Sequence, residues 1–476
     1  MDWQHARERF EFLESAYEAD DGFRPRVRWS LTTKTDETGR VVFTQRIPEL
    51  MGPSQLVRYP RESEQKFAAR NAVAVYENHL AHQVGRYVSF LGRRKPQRDR
   101  VDAPLVQLML QNCDLKGNNL DSFFRAFAEQ AKARGSMLLV MDKPTDSPAP
   151  TLADQVRRRA VPYIRRAEPE DVVSFRLDDE SGLFLSITLA DEMEIDGKMV
   201  DIERDYTTTG WAIRRGKDVI AQGDHAFGQC PVLAFTESGD DFPVFGRYAQ
   251  IADLSRRIFN AQSELDELIR GQTFSLLHLQ VPPEESATFD AEKVAATIGT
   301  HSMLIHGGDA PGYISPDAAQ AGVIQARIES LEASIRRIAH DESIEKSPLQ
   351  ESGIARRLRF EALNADLCAF AFNMQQLEQR MWTMFHAALG TTNNVQVAWP
   401  TDYNLADVMA ELDILTGMQT TGFPQRVIVE KQRAVCAVEF DNADDATKAA
   451  IAAALDEAAQ ADVPPPTPNP QGQQTP

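Results

Sequence analysis

Helix-period and strand-period stretches of hydrophobic residues alternate in blocks along this chain, and the blocks predict its elements. Phe10, Phe12, Leu13 and Tyr17 mark a first helix over residues 2–20. The stretch "RIPELMGPSQ" breaks that pattern. A longer helix is expected from about Glu62, where Phe67, Asn71, Val75, His79 and Val84 recur at helical spacing until the basic turn "LGRRKPQRDR". Phe123, Phe124, Phe127 and Ala131 line one side of a helix over about 120–133, and "SMLLVMDKP" reads as a buried strand stopped by proline. From Val161 to Phe235 the period falls to two, in "VVSFRL", "GLFLSITLA", "KMVDIERDY", "GWAIRRG" and "PVLAF". Turns such as "DDESG" and "IDGK" separate these runs, which together predict one small antiparallel sheet.

After "ESGDDFP" the helical period returns over about 247–272, through Tyr248, Ile251, Leu254, Ile258, Leu265 and Leu268. A Pro- and Gly-rich insertion with one or two strand-like pieces interrupts it. Helix resumes near Ala318, where Ile324, Ile328, Leu331, Ile335 and Ile338 step 4-3-4-3, a seam suited to packing helix against helix. A short polar loop then enters one very long helical pattern, from about Ser352 to Ala388, through Leu363, Leu367, Phe370, Met374, Leu377 and Met381. At about 1.5 Å per residue such a helix spans roughly 55 to 60 Å. Two short helices around a Gly-Phe-Pro turn, an Ala-rich helix near 445–460 and a Pro-rich tail expected to be disordered complete the pattern.

Composition changes this picture in three ways. With 476 residues, 42% of them hydrophobic and 25% charged, the chain reads as a soluble protein of two or three core-forming units, without a run of about 20 apolar residues for a membrane span. The polar start lacks the profile of a secretory signal. Cys113, Cys230, Cys368 and Cys436 lie far apart with no CxxC spacing, so they are expected to be buried thiols in a reducing cytosol. The net charge of -19 argues against tight nucleic-acid binding, while suiting a surface along which a polyanion slides.

Candidate chemistry is sparse. "GDHAFGQC" from Gly223 has glycines at the P-loop interval but Gln229 in place of the phosphate-binding lysine, and reads as a turn. "HGGD" at His306 has no nucleophile elbow to accompany it and also reads as a turn. His79 and His82 are three apart on one helix, yet no nearby acid completes a metal-ligand set, which favours packing or surface histidines. The acids of "EPEDV" from Glu168 read as solvated, and "DNADDATK" from Asp441 as a helix start. No enzyme, cofactor or metal site is implied.

The words "YIRRAEPEDVVSFRL", "IADLSRRIFNAQSELDELIRGQTF", "ISPDAAQAGVIQARIESLEASIRRIA" and above all "SGIARRLRFEALNADL", taken in this order of parts, resemble the portal (head-to-tail connector) proteins of tailed bacteriophages. The likeness spans roughly residues 60 to 440. It implies an α+β, mainly helical portal-type subunit: an N-terminal wing domain with a small antiparallel sheet (1–245), a stem helix (246–275), a clip insertion (276–316) and a second stem helix (317–341). A tunnel loop (342–351), a long wing helix (352–390), a small crown-like helical region (391–460) and a disordered tail (461–476) complete the expected division.

The resemblance further implies a homo-oligomeric ring of about twelve subunits in the virion, at one capsid vertex, assembled in the host cytoplasm. Double-stranded DNA would pass through it non-specifically. Its partners would be the terminase packaging motor, a head-tail adaptor, and the major capsid and scaffolding proteins, with no membrane. Ser343, Glu345, Lys346, Ser347 and Gln350 would face the channel. Lys346 would meet phosphate, or else pair with Glu342 or Glu345 as an ordinary exposed lysine. Arg327, Arg336 and Arg337 would face the channel or bridge to a neighbouring subunit, the bridge being favoured. A cytosolic helical scaffold or adaptor that never meets DNA is the alternative, and an enzyme with dispersed acids is a third reading.

Overall fold

The structure, a computed structural model, describes residues 2–35, 41–143, 151–273, 276–278, 312–314, 319–340, 353–403, 408–440 and 445–460. The chain forms two compact units, one of residues 1–344 with 365–403 and one of residues 345–364 with 404–476.

The first unit opens with α1 (Trp3–Glu18), which Asp2 caps by accepting the Gln4 N–H. Its buried stripe is Ala6, Phe10, Leu13 and Ala16. A hairpin that the hydrophobic pattern did not announce follows, β1 (Val27–Thr35) and β2 (Val41–Leu50), antiparallel with Val27 opposite Leu50. Trp29 and Leu31 on β1 are 50% and 68% exposed, so no buried apolar face marks this strand in sequence.

The single helix expected from Glu62 is instead two, α2 (Glu64–Val73) and α3 (His79–Leu91). Ala74 turns extended, and Asn78 starts the chain again by accepting the Ala81 N–H at 2.9 Å. Between them the Tyr76 ring packs tilted against Phe23, centres 4.3 Å apart, and its hydroxyl donates to the Ala16 carbonyl at 3.1 Å. This tertiary anchorage outweighs the propensity to continue the helix.

Then come β3 (Gln97–Asp99), α4 (Pro104–Gln111), α5 (Leu120–Arg134), β4 (Ser136–Asp142), α6 (Leu152–Arg158), β5 (Tyr163–Ala167) and β6 (Val172–Leu177). They are followed by β7 (Phe184–Ile195), β8 (Lys198–Thr207), β9 (Gly210–Arg215), β10 (Asp218–Asp224) and β11 (Val232–Thr236). The expected single sheet is two. β6 to β10 form a five-stranded antiparallel meander, while β4, fully buried from Met137 to Met141, is the centre of a three-stranded sheet between β11 and β5. The "IDGK" turn closes β7 onto β8 with Ile195 opposite Lys198, and Asp196 (φ 51°) and Gly197 (φ 75°) both adopt the left-handed conformations of a type I′ hairpin. A core shared by both sheets packs Leu138, Val140, Ile187, Leu189, Val232 and Phe242.

Helix α7 (Ala249–Thr273), the short strands β12 (Leu276–His278) and β13 (Gly312–Ile314), and α8 (Ala319–Ile338) come next. The long helix α9 (Gly353–Leu389) has 37 residues, about 55 Å at 1.5 Å each. Its residues 365–389 belong to the first unit, which β14 (Gln396–Ala398) completes by pairing antiparallel with β3.

The second unit holds residues 353–364 of α9 with α10 (Val408–Thr420), α11 (Gln425–Glu439) and α12 (Asp445–Gln460). The Gly-Phe-Pro turn lies between α10 and α11, with Gly422 at φ 74°. Ile428 and Val429 are buried, and Arg433 ties α11 to α12 through Asp456 at 2.6 Å. The Pro-rich tail lies outside the described residues. No described helix is long and apolar enough to cross a membrane. Cys113 and Cys230 are buried as expected, whereas Cys368 and Cys436 are only half-buried.

Candidate functional site

Helices α7 and α8 pack along one another as a hairpin. Arg247, just before α7, meets His340, just after α8, while Leu276, just after α7, pairs with Ile314, just before α8. The two helices are therefore antiparallel, with a root at Arg247 and His340 and a tip at β12 and β13. The seam residues Ile328, Leu331 and Ile335 of α8 are buried, as are Ile251, Ala252, Ile258 and Phe259 of α7. Burial is lost towards the tip, where Ile269 and Val323 are 48% and 71% exposed.

The root is held by a network of charges that runs from Lys132 in the protein interior out to the exposed Arg247. Lys132, fully buried near the end of α5, donates to Glu237 (2.6 Å) and to Asp366 of α9 (3.0 Å), with Nζ 3.9 Å from the centre of the Tyr87 ring. Glu237 also accepts the Arg247 N–H at 3.2 Å, and Tyr87 donates to the Asp366 carbonyl at 3.1 Å. The Arg247 guanidinium lies 3.7 Å from the Asp366 carboxylate and donates to His340 Nε2 at 2.6 Å. That bond needs an unprotonated ring nitrogen, and burial, followed by the charge of Arg247, holds the His340 pKa below its ordinary value. Burial likewise pushes the Tyr87 hydroxyl well above its usual range, helped by Asp366. With each charge matched, the cluster is a fastening rather than a reactive centre.

Three further buried pairs brace the unit. Arg70 of α2 grips Glu62 with bonds of 3.0 and 2.8 Å and reaches Ser263 of α7 at 3.1 Å. Arg98 joins β3 to Glu378 of α9, which also accepts the Trp399 indole N–H at 2.9 Å. Arg134 binds Glu170 at 2.7 Å. This last pair corrects the reading of the Glu168 cluster as solvated: Glu170 is buried because an arginine stands ready to receive it.

Of the residues expected to face a channel, Ser343, Glu345, Lys346, Ser347 and Gln350 lie outside the described residues. Arg327 and Arg337 are exposed on α8. Arg336 lies 3.7 Å from Glu332 one turn back on the same helix. Of the expected clip, the described residues include only β12 and β13. Sequence reasoning missed Lys132, Glu237, Arg247, His340 and Asp366. One signal was available for Lys132, which continues the apolar row of Phe124 and Ala128 at four-residue steps on a face that is otherwise buried.

No family model and no curated protein matches this chain. Among solved structures, the neck of a native gene transfer agent (GTA) particle, computed with C12 symmetry, is similar with a TM-score of 0.41 and 12% identity over 75% of this chain and 89% of that one. The virion of a native GTA particle is similar with a TM-score of 0.40 and 11% identity over 72% of this chain and 86% of that one. An HK97 family phage portal protein from Corynebacterium diphtheriae is similar with a TM-score of 0.37 and 10% identity, over 71% of this chain and 98% of that one. At these TM-scores the likeness assigns no function, and the chain's own geometry has to.

Proposed function

We propose that this chain is the subunit of a portal ring at one capsid vertex, conducting double-stranded DNA in packaging and ejection. The observation that carries this reading is the α7–α8 hairpin. It is a two-helix rod fastened at its root through Arg247, which meets His340, Asp366 and Glu237, with segment 279–311 bounded by its tip and segment 341–352 following its root. In this reading the hairpin is the stem, the tip segment is the clip that docks the packaging motor and then the head-completion proteins, and residues 342–351 are the tunnel loop. Ser343, Glu345, Lys346, Ser347 and Gln350 would line the channel, and α9 would be the wing helix that supports them. The exposed apolar residues Ile269 and Val323 near the tip suit burial against a neighbouring copy. A net charge of -19 suits a wall that guides a polyanion without gripping it.

Negative-stain microscopy of the purified full chain tests this directly, with rings around a central hole expected. A monodisperse monomer or dimer at high concentration would favour a scaffold or adaptor instead. Deleting residues 343–349 is expected to leave rings intact while impairing DNA packaging or retention, and a failure to assemble would make that segment a packing element.

A further inference from the structure

We propose that Glu77, His79 and Glu332 form a divalent-cation site of the zinc class, joining the start of α3 to the middle of α8. One ligand atom from each of the three lies within 4.8 Å of the others. His79 Nε2 is shielded from solvent and makes no hydrogen bond to the protein, so its lone pair is available to an ion. The nearest carboxylate oxygen, Glu77 Oε2, stands 3.6 Å away, beyond hydrogen-bonding distance.

The donor set indicates which ion fits. One imidazole nitrogen and two carboxylate oxygens make a three-ligand zinc set with water in the remaining position, whereas calcium and magnesium take oxygen ligands in greater number. Ligands at the usual zinc distances stand about 3.3 Å apart in a tetrahedron, so the set has to contract. Glu77, whose side chain is 57% exposed, is free to swing in. Two other basic groups face the site. Arg336 holds Glu332 at 3.7 Å, and His82 lies on the same helix as His79. Arg336 stands beside the Glu332 carboxylate and opposes a second cation, which makes the site weaker than a structural zinc site.

The sequence reading found no acid to complete a set with His79, because Glu332 comes from a distant part of the chain. A bound ion would pin α8 to α3 partway along the hairpin, a link separate from the charges at the root.

The test is calorimetric titration of zinc chloride into the chelator-treated full chain. One equivalent per chain is expected, with binding at least about tenfold weaker in Glu77→Gln, His79→Gln and Glu332→Gln, and unchanged in His82→Gln. Absence of binding, or binding that survives all three ligand substitutions as an adventitious surface site would, overturns the proposal, as does loss in His82→Gln alone. If circular dichroism shows that His79→Gln does not fold, the exposed Glu77→Gln decides: unchanged binding there overturns the site, and weakened binding sustains it.

Discussion

The Lys132 ammonium lies 3.0 Å from the Asp366 carboxylate, although the two residues are 234 positions apart in the chain. Lys132 has no exposed surface, and Glu237 shares it at 2.6 Å. Removing the lysine leaves two largely buried acids without their buried cation, with only the exposed Arg247 beside them. Lys132→Met is therefore expected to destabilise the chain by about 3–5 kcal/mol in urea unfolding, and adding Glu237→Gln and Asp366→Asn to recover part of that loss. A triple variant no more stable than the single one would show that the network is not held by charge.

Gly135 connects α5 to β4 at φ +89°, and a Cβ there would stand 1.7 Å from the backbone nitrogen of Gly246. Both the left-handed conformation and the contact forbid a side chain. Gly135→Ala is expected to cost about 4 kcal/mol or more, seen as loss of soluble protein or a large drop in the urea midpoint. A shift within about 0.5 kcal/mol would mean that the α5–β4 corner relaxes easily.

Val323 is 71% exposed on α8. Within one chain it packs little, so Val323→Asp is expected to change the unfolding free energy of the isolated chain by no more than about 0.5 kcal/mol. In a ring that buries this position the same aspartate meets an apolar neighbour, and microscopy is expected to show rings lost. Rings that persist would place the subunit contact elsewhere.

The His340 pKa is held below its ordinary value of 6.5, first by burial and then by Arg247. The unfolded chain takes up this proton before the folded chain does, so the stability that His340 contributes is whole above about pH 6.5 and is lost as pH falls below it. Asp171 acts the other way. Burial and Glu168 push it up to about 7, so acidification from there relieves a cost. A single melting curve mixes the two, and a variant separates them. His340→Asn tolerates the left-handed backbone at φ 54° and does not titrate, so its melting temperature is expected to fall less between about pH 7.5 and 5.5 than that of the parent. Equal falls would show that protonation does not break the contact with Arg247.

What was legible in the sequence was local. The seam through Ile328, Leu331 and Ile335, the 37-residue α9, the buried strand from Ser136 and the Asp196-Gly197 turn each carry their signal within a few consecutive turns or residues. The break at Ala74 depends on Tyr76 finding Phe23, and the division into two sheets depends on β11 choosing β4 over the meander. Neither choice is written in the residues' own spacing. The charge network was hidden for the same reason: Lys132, Glu237, Arg247, His340 and Asp366 come from separate segments, and all but Lys132 resemble ordinary surface groups when taken alone.

The fastening at the hairpin's root also sets where bending is affordable. Prising α7 and α8 away at that end would break the contacts of Arg247 with Glu237 and Asp366 and lift Tyr248 off the Lys132 ammonium, whereas around the exposed Ile269 and Val323 less apolar surface is buried. The rod is thus built like a lever on a fixed fulcrum, with its give concentrated at the far end.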